Sequence, residues 1–187
     1  THDPLPFVKW FNGGQTNAAF NEVDRHVLSG STALGEDQTA FAADGGHAAV
    51  ETIQIRDLLV SSILAACSLT HDGGHLQHGQ RLALYLPNDL RAAIWIEGAK
   101  RIGVPFVAVA SGTASPSLAS RLADTGASLL VTSGSLMASA EEAMRLLDEQ
   151  QLQRPIGMLL PSTDEYDTEG GGAASTPLPE GWLLASE

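Results

Sequence analysis

Between residues 82 and 160 the chain alternates short apolar runs with segments that carry helix signals. This alternation restricts the fold more than any other feature. Leu82 to Leu86, Val104 to Ala110, Leu129 to Thr132 and Ile156 to Leu160 each read as a strand with apolar residues on both faces. Such strands must be covered on both sides, which is the condition of a parallel sheet lying between helices. The intervening segments supply those helices. Asp89 is placed to cap a helix that runs to Ile102 and stops at Gly103. Ser115 and Pro116 predict an N-cap and a first-turn proline for a second helix, ending at Gly126. Ser139 with Glu142 predicts a capping box ahead of Ala140, Met144 and Leu147. Strand–helix–strand repeats join by right-handed crossovers. The expected fold class is therefore α/β, a parallel sheet flanked by helices.

Upstream, Asn17 to Leu28 predicts a short helix that buries Ala18, Val23 and Val27 and leaves Asp24 and Arg25 outside. Gly30 to Gly35 reads as a turn-rich break. Thr39 to Ala43 and Ala49 to Ile53 read as two strands around Asp44-Gly45-Gly46, a hairpin signal. Ile55, Leu58, Leu59, Ser62, Ile63, Ala66 and Leu69 recur at helical spacing up to the Asp72-Gly73-Gly74 break. In the helix at 89–102, Trp95 and Ile96 fall opposite Leu90 and Ile94. A sheet covers one side only, so Trp95 is expected in an exposed apolar patch that prefers a partner. Ser162 to Glu180 reads as a mobile loop, followed by a short strand at Trp182 to Ala185. The expected organisation is a helical segment at 1–35, an α/β subdomain at 36–161, and an acidic Gly/Pro-rich loop and end at 162–187.

Composition excludes some functions. The net charge is -12, and only ten residues are Lys or Arg, two of them lysines, Lys9 and Lys100. That argues against a nucleic-acid partner, whose phosphates call for clustered cations. No run of about 18 apolar residues is present to span a membrane as a helix. The first residues, Thr-His-Asp-Pro, do not have the basic-then-apolar pattern of a signal peptide. The single cysteine, Cys67, has no partner for an internal disulfide, which favours a reducing cytoplasm. It is expected to be buried as a small apolar residue.

Residues Phe7 to Val27 read Phe-Val-Lys-Trp-Phe-Asn-Gly-Gly-Gln-Thr-Asn-Ala-Ala-Phe-Asn-Glu-Val-Asp-Arg-His-Val. This resembles the N-terminal signature of the acetyl- and propionyl-CoA synthetases of the adenylate-forming superfamily: Lys-Trp-Phe, Gly-Gly, an Asn, then Asn-x-x-Asp-Arg-His. The helix of Asp89 to Gly103, ending Lys-Arg-Ile-Gly, and the segment Ser115-Pro-Ser-Leu-Ala-Ser-Arg-Leu-Ala-Asp-Thr-Gly-Ala are similar to two further family helices. The resemblance covers most of the chain, and these are mainly packing motifs, which mark ancestry more strongly than activity.

The resemblance implies the large N-terminal domain of such an enzyme, with ATP, Mg and CoA used by the parent and more sequence on either side. It implies a phosphate loop, Tyr-Thr-Ser-Gly-Ser-Thr-Gly-x-Pro-Lys, and a second catalytic lysine, neither of which occurs in these 187 residues. The piece is therefore expected to be inactive alone, with no catalytic residue of its own. Its expected partner is the remainder of the parent synthetase or a larger fusion enzyme. Ser111, Gly112 and Thr113 occupy the place of a Gly-Gly pair that approaches CoA, so the resemblance implies a CoA contact there, against the alternative of a plain strand-to-helix connection. Thr113 in place of the second Gly limits that approach, and Leu136-Met137-Ala138 replaces a Gly-Gly-Arg segment. Thr132-Ser133-Gly134-Ser135 echoes the phosphate loop, but it lacks the Thr-Gly-x-Pro-Lys that follows and is expected to be a turn leading into a helix. His71, Asp72, His75 and His78 offer metal-ligand types in a Gly-rich loop without fixed geometry, and no metal is expected. His26 is expected to hydrogen-bond within the fold. Acetate or propionate is the acid implied by the subfamily. The alternatives are an inactive synthetase-like interaction module and an independent nucleotide-binding domain.

Overall fold

The computed structural model describes residues 11–28, 38–44, 50–71, 74–161 and 178–185. Five strands form one parallel sheet in the order β4-β3-β5-β6-β7. They are β3 (Leu82–Leu86), β4 (Phe106–Ala110), β5 (Leu129–Ser133), β6 (Ile156–Leu160) and β7 (Trp182–Leu184). The central pairings set Leu82 level with Phe106 on one side and with Leu129 on the other. All five residues of β3 and all five of β5 are buried, as strands covered on both faces require.

Alternation along the strands divides the core in two. Leu82, Leu84 and Leu86 of β3, with Leu129 and Val131 of β5, pack on the side of helices α2 (Ile55–Thr70) and α3 (Leu90–Arg101). Ala83, Tyr85 and Leu130 point the other way, to α4 (Ser115–Thr125) and α5 (Met137–Glu149). Each fully buried Leu stabilises the fold by ~1.5–3 kcal/mol through removal of apolar surface from water. A third, smaller cluster of Val23, Ile53, Ile55 and Leu58 lies outside the sheet. It joins an N-terminal helix to an antiparallel hairpin of β1 (Thr39–Ala43) and β2 (Glu51–Gln54). The N-terminal helix has a π-helical turn, Phe20–Asp24, that runs into α1 (Arg25–Leu28).

The sheet, its parallel sense and the helices between its strands agree with the sequence. Several local expectations are corrected. Ala19 is buried and Ala18 exposed, while Asp24 lies inward against α3. Ser115 is not the cap of α4. Ala114 is the extended residue before the helix and supplies no side-chain hydrogen bond. Nor do Ser139 and Glu142 form a capping box, because a 3-10 turn at Gly134–Leu136 hands the chain straight into α5 at Met137. Glu142 instead pairs with Arg145 at 2.6 Å. Asp89 does cap α3, accepting from the N–H groups of Arg91 and Ala92.

Trp95 is buried, only 7% exposed, contrary to the expectation of an exposed patch there. The reason is α2, which lies on α3 and covers what the sheet does not. Gly98 permits this contact, since a Cβ built there would stand 2.9 Å from the Ala65 Cβ and 3.2 Å from the Ala66 nitrogen. Ile63 and Cys67, expected inside, lie on the opposite face of α2 and are exposed. At the far edge of the sheet, the Trp182 ring covers Gly157, where a Cβ would come within 2.6 Å of three ring carbons. The Gly30–Gly35 break, the turn at Gly45-Gly46 and the segment 162–177 lie outside the described residues.

Candidate functional site

In an open α/β sheet, ligands gather at the carboxyl ends of the strands. Ser111, Gly112 and Thr113 occupy that end of the edge strand β4. Ser111 and Gly112 are exposed and Thr113 is half-buried. Three hydrogen-bond contacts shape the turn. Thr113 N–H donates to Ala110 O at 2.9 Å, and the hydroxyl of buried Tyr85 lies 3.1 Å from both Ser111 O and Thr113 O. One hydroxyl hydrogen is thus shared between two carbonyls. The space a Gly112 Cβ would occupy is open. A ligand backbone or amide can therefore approach Gly112 closely.

Beside the turn lies a cleft of about 420 Å³ between α3 and the edge of the sheet, with Leu86, Ala92, Ile96, Ala108 and Ser111 among its walls. A second cleft of about 520 Å³ shares Asn88, Ala92 and Ile96 with it and continues along α3 to the β1–β2 hairpin, reaching Glu97 and Lys100. Among the described residues, the walls of the first cleft hold no Lys or Arg and are mostly apolar.

The Thr132-Ser133-Gly134-Ser135 segment ends β5 and enters the 3-10 turn on the other side of β3, across the point where the strand order reverses. Its hydroxyls are used internally: Thr132 Oγ1 donates to Tyr85 O at 2.9 Å, and Ser133 Oγ lies 3.1 Å from Ser135 Oγ. Among the described residues no three His, Cys, Asp or Glu side chains group as a metal site. His71 Nδ1 bonds the neighbouring Thr70 hydroxyl at 2.7 Å, and Asp72 lies outside the described residues. His26 is reached by Arg25 Nε at 3.4 Å.

Sequence reading missed the main polar assembly, although it singled out both halves. The Asn-x-x-Asp-Arg-His helix and the Lys-Arg-Ile-Gly end of α3 meet side by side. Arg101 forks onto Asp24 with two bonds of 2.7 Å and donates a third to Ser62 Oγ at 2.9 Å. Asn17 Nδ2 donates to Arg101 O at 2.8 Å, while its Oδ1 accepts from Phe20 N–H in the manner of a helix cap. Lys100 bridges Glu22 at 2.5 Å and Glu97 at 2.7 Å. Burial pushes the Glu97 carboxyl up despite Lys100, and its Oε2 has no hydrogen-bond partner. Burial alone would pull the Lys100 ammonium down, but hydrogen bonds to both carboxylates outweigh it and hold the ammonium above its ordinary value. The assembly fastens the N-terminal helix to the sheet domain. The clue in the sequence was an acid and a base three residues apart in an apolar helix, Glu97 and Lys100.

These elements define an α/β domain with a doubly wound parallel sheet, an anchored N-terminal helix and an open carboxyl edge. The chain is homologous to part of the acetyl-coenzyme A synthetases. It is 36% identical over 141 residues, 75% of its length, to the acetyl-coenzyme A synthetase of Burkholderia thailandensis, and equally so to that of Burkholderia mallei. It is 35% identical over 133 residues, 71% of its length, to the acetyl-coenzyme A synthetase of Paraburkholderia phymatum. The chain spans about a fifth of those relatives, 19% of each. No family model matches it. Among the described residues, no helix is long and apolar enough to cross a membrane.

Proposed function

We propose that this chain is the N-terminal α/β portion of an ATP-dependent short-chain acyl-CoA synthetase, working as part of a longer polypeptide or a larger fusion enzyme in the cytoplasm. The reaction turns an acid, ATP and CoA into acyl-CoA, AMP and pyrophosphate. A carboxylate is a poor electrophile, so its oxygen first displaces pyrophosphate from ATP. The CoA thiolate then attacks the acyl-adenylate carbonyl, and AMP leaves. Charge on the phosphates must be met by a loop, a lysine and Mg, and the remainder of the parent would supply them. Acetate or propionate is the proposed acid. The observation that carries this reading is the identity to acetyl-coenzyme A synthetases over three quarters of the chain.

Within that enzyme the role of this piece is to build and brace. The Ser111–Thr113 turn and the adjoining apolar cleft would receive the pantetheine arm of CoA, and the Asp24–Arg101 and Lys100 assembly would hold the N-terminal helix in place. The test is ATP–pyrophosphate exchange with acetate, propionate and acrylate, run on the purified 187-residue chain and on its uninterrupted reading frame. Exchange is expected from the longer product only. Exchange well above background from 187 residues alone would overturn the inactive-piece reading. A reading frame that ends here would favour a synthetase-like interaction module instead.

A further inference from the structure

The exposed turn at the end of β4 is gripped by a side chain from the neighbouring strand. Among the described residues, Tyr85 of β3 is the only side chain that bonds Ser111, Gly112 or Thr113. Tyr85 is 1% exposed and belongs to the core cluster that includes Leu118 and Leu122 of α4 and Met144 of α5. Its own carbonyl accepts from Thr132 Oγ1 on β5 at 2.9 Å. Close packing of this kind makes the ring a fixed point. The core needs the ring alone, and a buried hydroxyl is satisfied by one acceptor. This one lies 3.1 Å from two, Ser111 O and Thr113 O.

The consequence lies in the peptide groups. In a planar trans peptide the C=O and the N–H that follows it point in opposite directions. Drawing the Ser111 and Thr113 carbonyls toward the Tyr85 hydroxyl therefore turns the N–H groups of Gly112 and Ala114 away from it. Among the described residues neither N–H has a hydrogen-bond partner. Gly112 is exposed, and Ala114 is the extended residue that leads into α4, so its N–H stands at the positive end of that helix. We infer that Tyr85 is a positioning residue for the CoA step: its hydroxyl sets the turn so that Gly112 and Ala114 present two backbone donors to an acceptor oxygen of CoA. The inference rests on the CoA contact proposed above for Ser111–Thr113. Tyr85 itself touches no substrate and acts through the turn.

The uninterrupted synthetase separates this role from a purely structural one, because adenylate formation needs no CoA. Tyr85→Phe keeps the ring and is expected to raise the KM for CoA about three- to tenfold, the worth of one hydrogen bond. The kcat at saturating CoA and ATP–pyrophosphate exchange with acetate or propionate should be retained. In the 187-residue chain the same variant should lower the backbone N–H order parameters of residues 111–113 from the ~0.85 of rigid backbone toward ~0.6, with β3 and β5 still rigid. Loss of exchange in step with CoA turnover would mark a merely structural tyrosine and overturn the proposal, as would order parameters at the turn that do not change. If Gly112→Ala raises the KM for CoA and Tyr85→Phe does not, the positioning role falls and the CoA contact stands. If neither variant moves that KM, both fall together.

Discussion

Removing Asp24 tests whether the two sequence motifs form one structural clamp. Its carboxylate receives both arms of the Arg101 fork at 2.7 Å, and the two side chains are only 13% and 16% exposed. An exposed ion pair contributes at most ~1 kcal/mol, whereas breaking a fully buried one costs ~3–5 kcal/mol because a charge is left unpaired. This pair lies nearer the buried limit, and the Ser62 hydroxyl still holds one Arg101 nitrogen. Asp24→Ala should therefore cost about 2–4 kcal/mol, or about 4–16 °C in melting temperature for a domain of this size. Arg101→Met, which keeps the apolar stem, should cost a similar amount by stranding Asp24. The double variant should cost clearly less than the sum, with a coupling energy of about 2 kcal/mol. Urea unfolding measures all four proteins, with a constant slope as the sign that only stability has changed. A cost below about 0.5 kcal/mol for Asp24→Ala, or additivity within about 0.5 kcal/mol, would refute the clamp.

Gly157→Ala should destabilise by about 1–3 kcal/mol and shift Trp182 fluorescence, since the new Cβ meets the indole ring within 2.6 Å; an unchanged urea midpoint would count against that contact. Gly112→Ala should leave the melting temperature within about 2 °C of wild type, because the Cβ position is open. In the longer enzyme it should raise the KM for CoA while sparing ATP–pyrophosphate exchange, and an unchanged KM would remove this turn from the CoA site. Burial raises the Glu97 carboxyl above its ordinary 4.5. Its contribution to stability is then full below about that pH and is lost as pH rises through the higher folded value. Glu97→Gln should therefore gain stability relative to wild type as pH climbs from 4 to 7, and a difference that shrinks over that range would reverse the assignment.

The sheet was legible because β3 and β5 are apolar at every position, and only burial on both faces accounts for that. Helix starts were harder to place. Ser139 and Glu142 have the spacing of a capping box, but spacing does not reveal that the chain is already turning at Gly134, three residues before α5 begins. The side to which Trp95 turns depends on α2, and that approach rests on the missing side chain of Gly98, which helical periodicity does not register. The Asn-x-x-Asp-Arg-His and Lys-Arg-Ile-Gly motifs were both recognised, but their union was not, because nothing local specifies a partner 77 residues away. The Ser111–Thr113 turn was placed correctly at the end of β4. The grip of Tyr85 on it was not visible, since a strand tyrosine reads simply as core.

The 77-residue separation of Asp24 from Arg101 also governs how the chain is born. At ~5–20 residues per second of synthesis, the N-terminal helix waits about 4–15 s for its receptor to be made. During that interval Val23 has only Ile53, Ile55 and Leu58 to pack against, and Asp24 is without its Arg101 fork. Closing so long a loop has its own entropic cost, while the β3–α3–β4 unit closes locally. The helix thus leaves the ribosome well before Arg101 and is among the last elements to be fastened, so nascent chains halted before residue 101 should hold it open to proteases and chaperones.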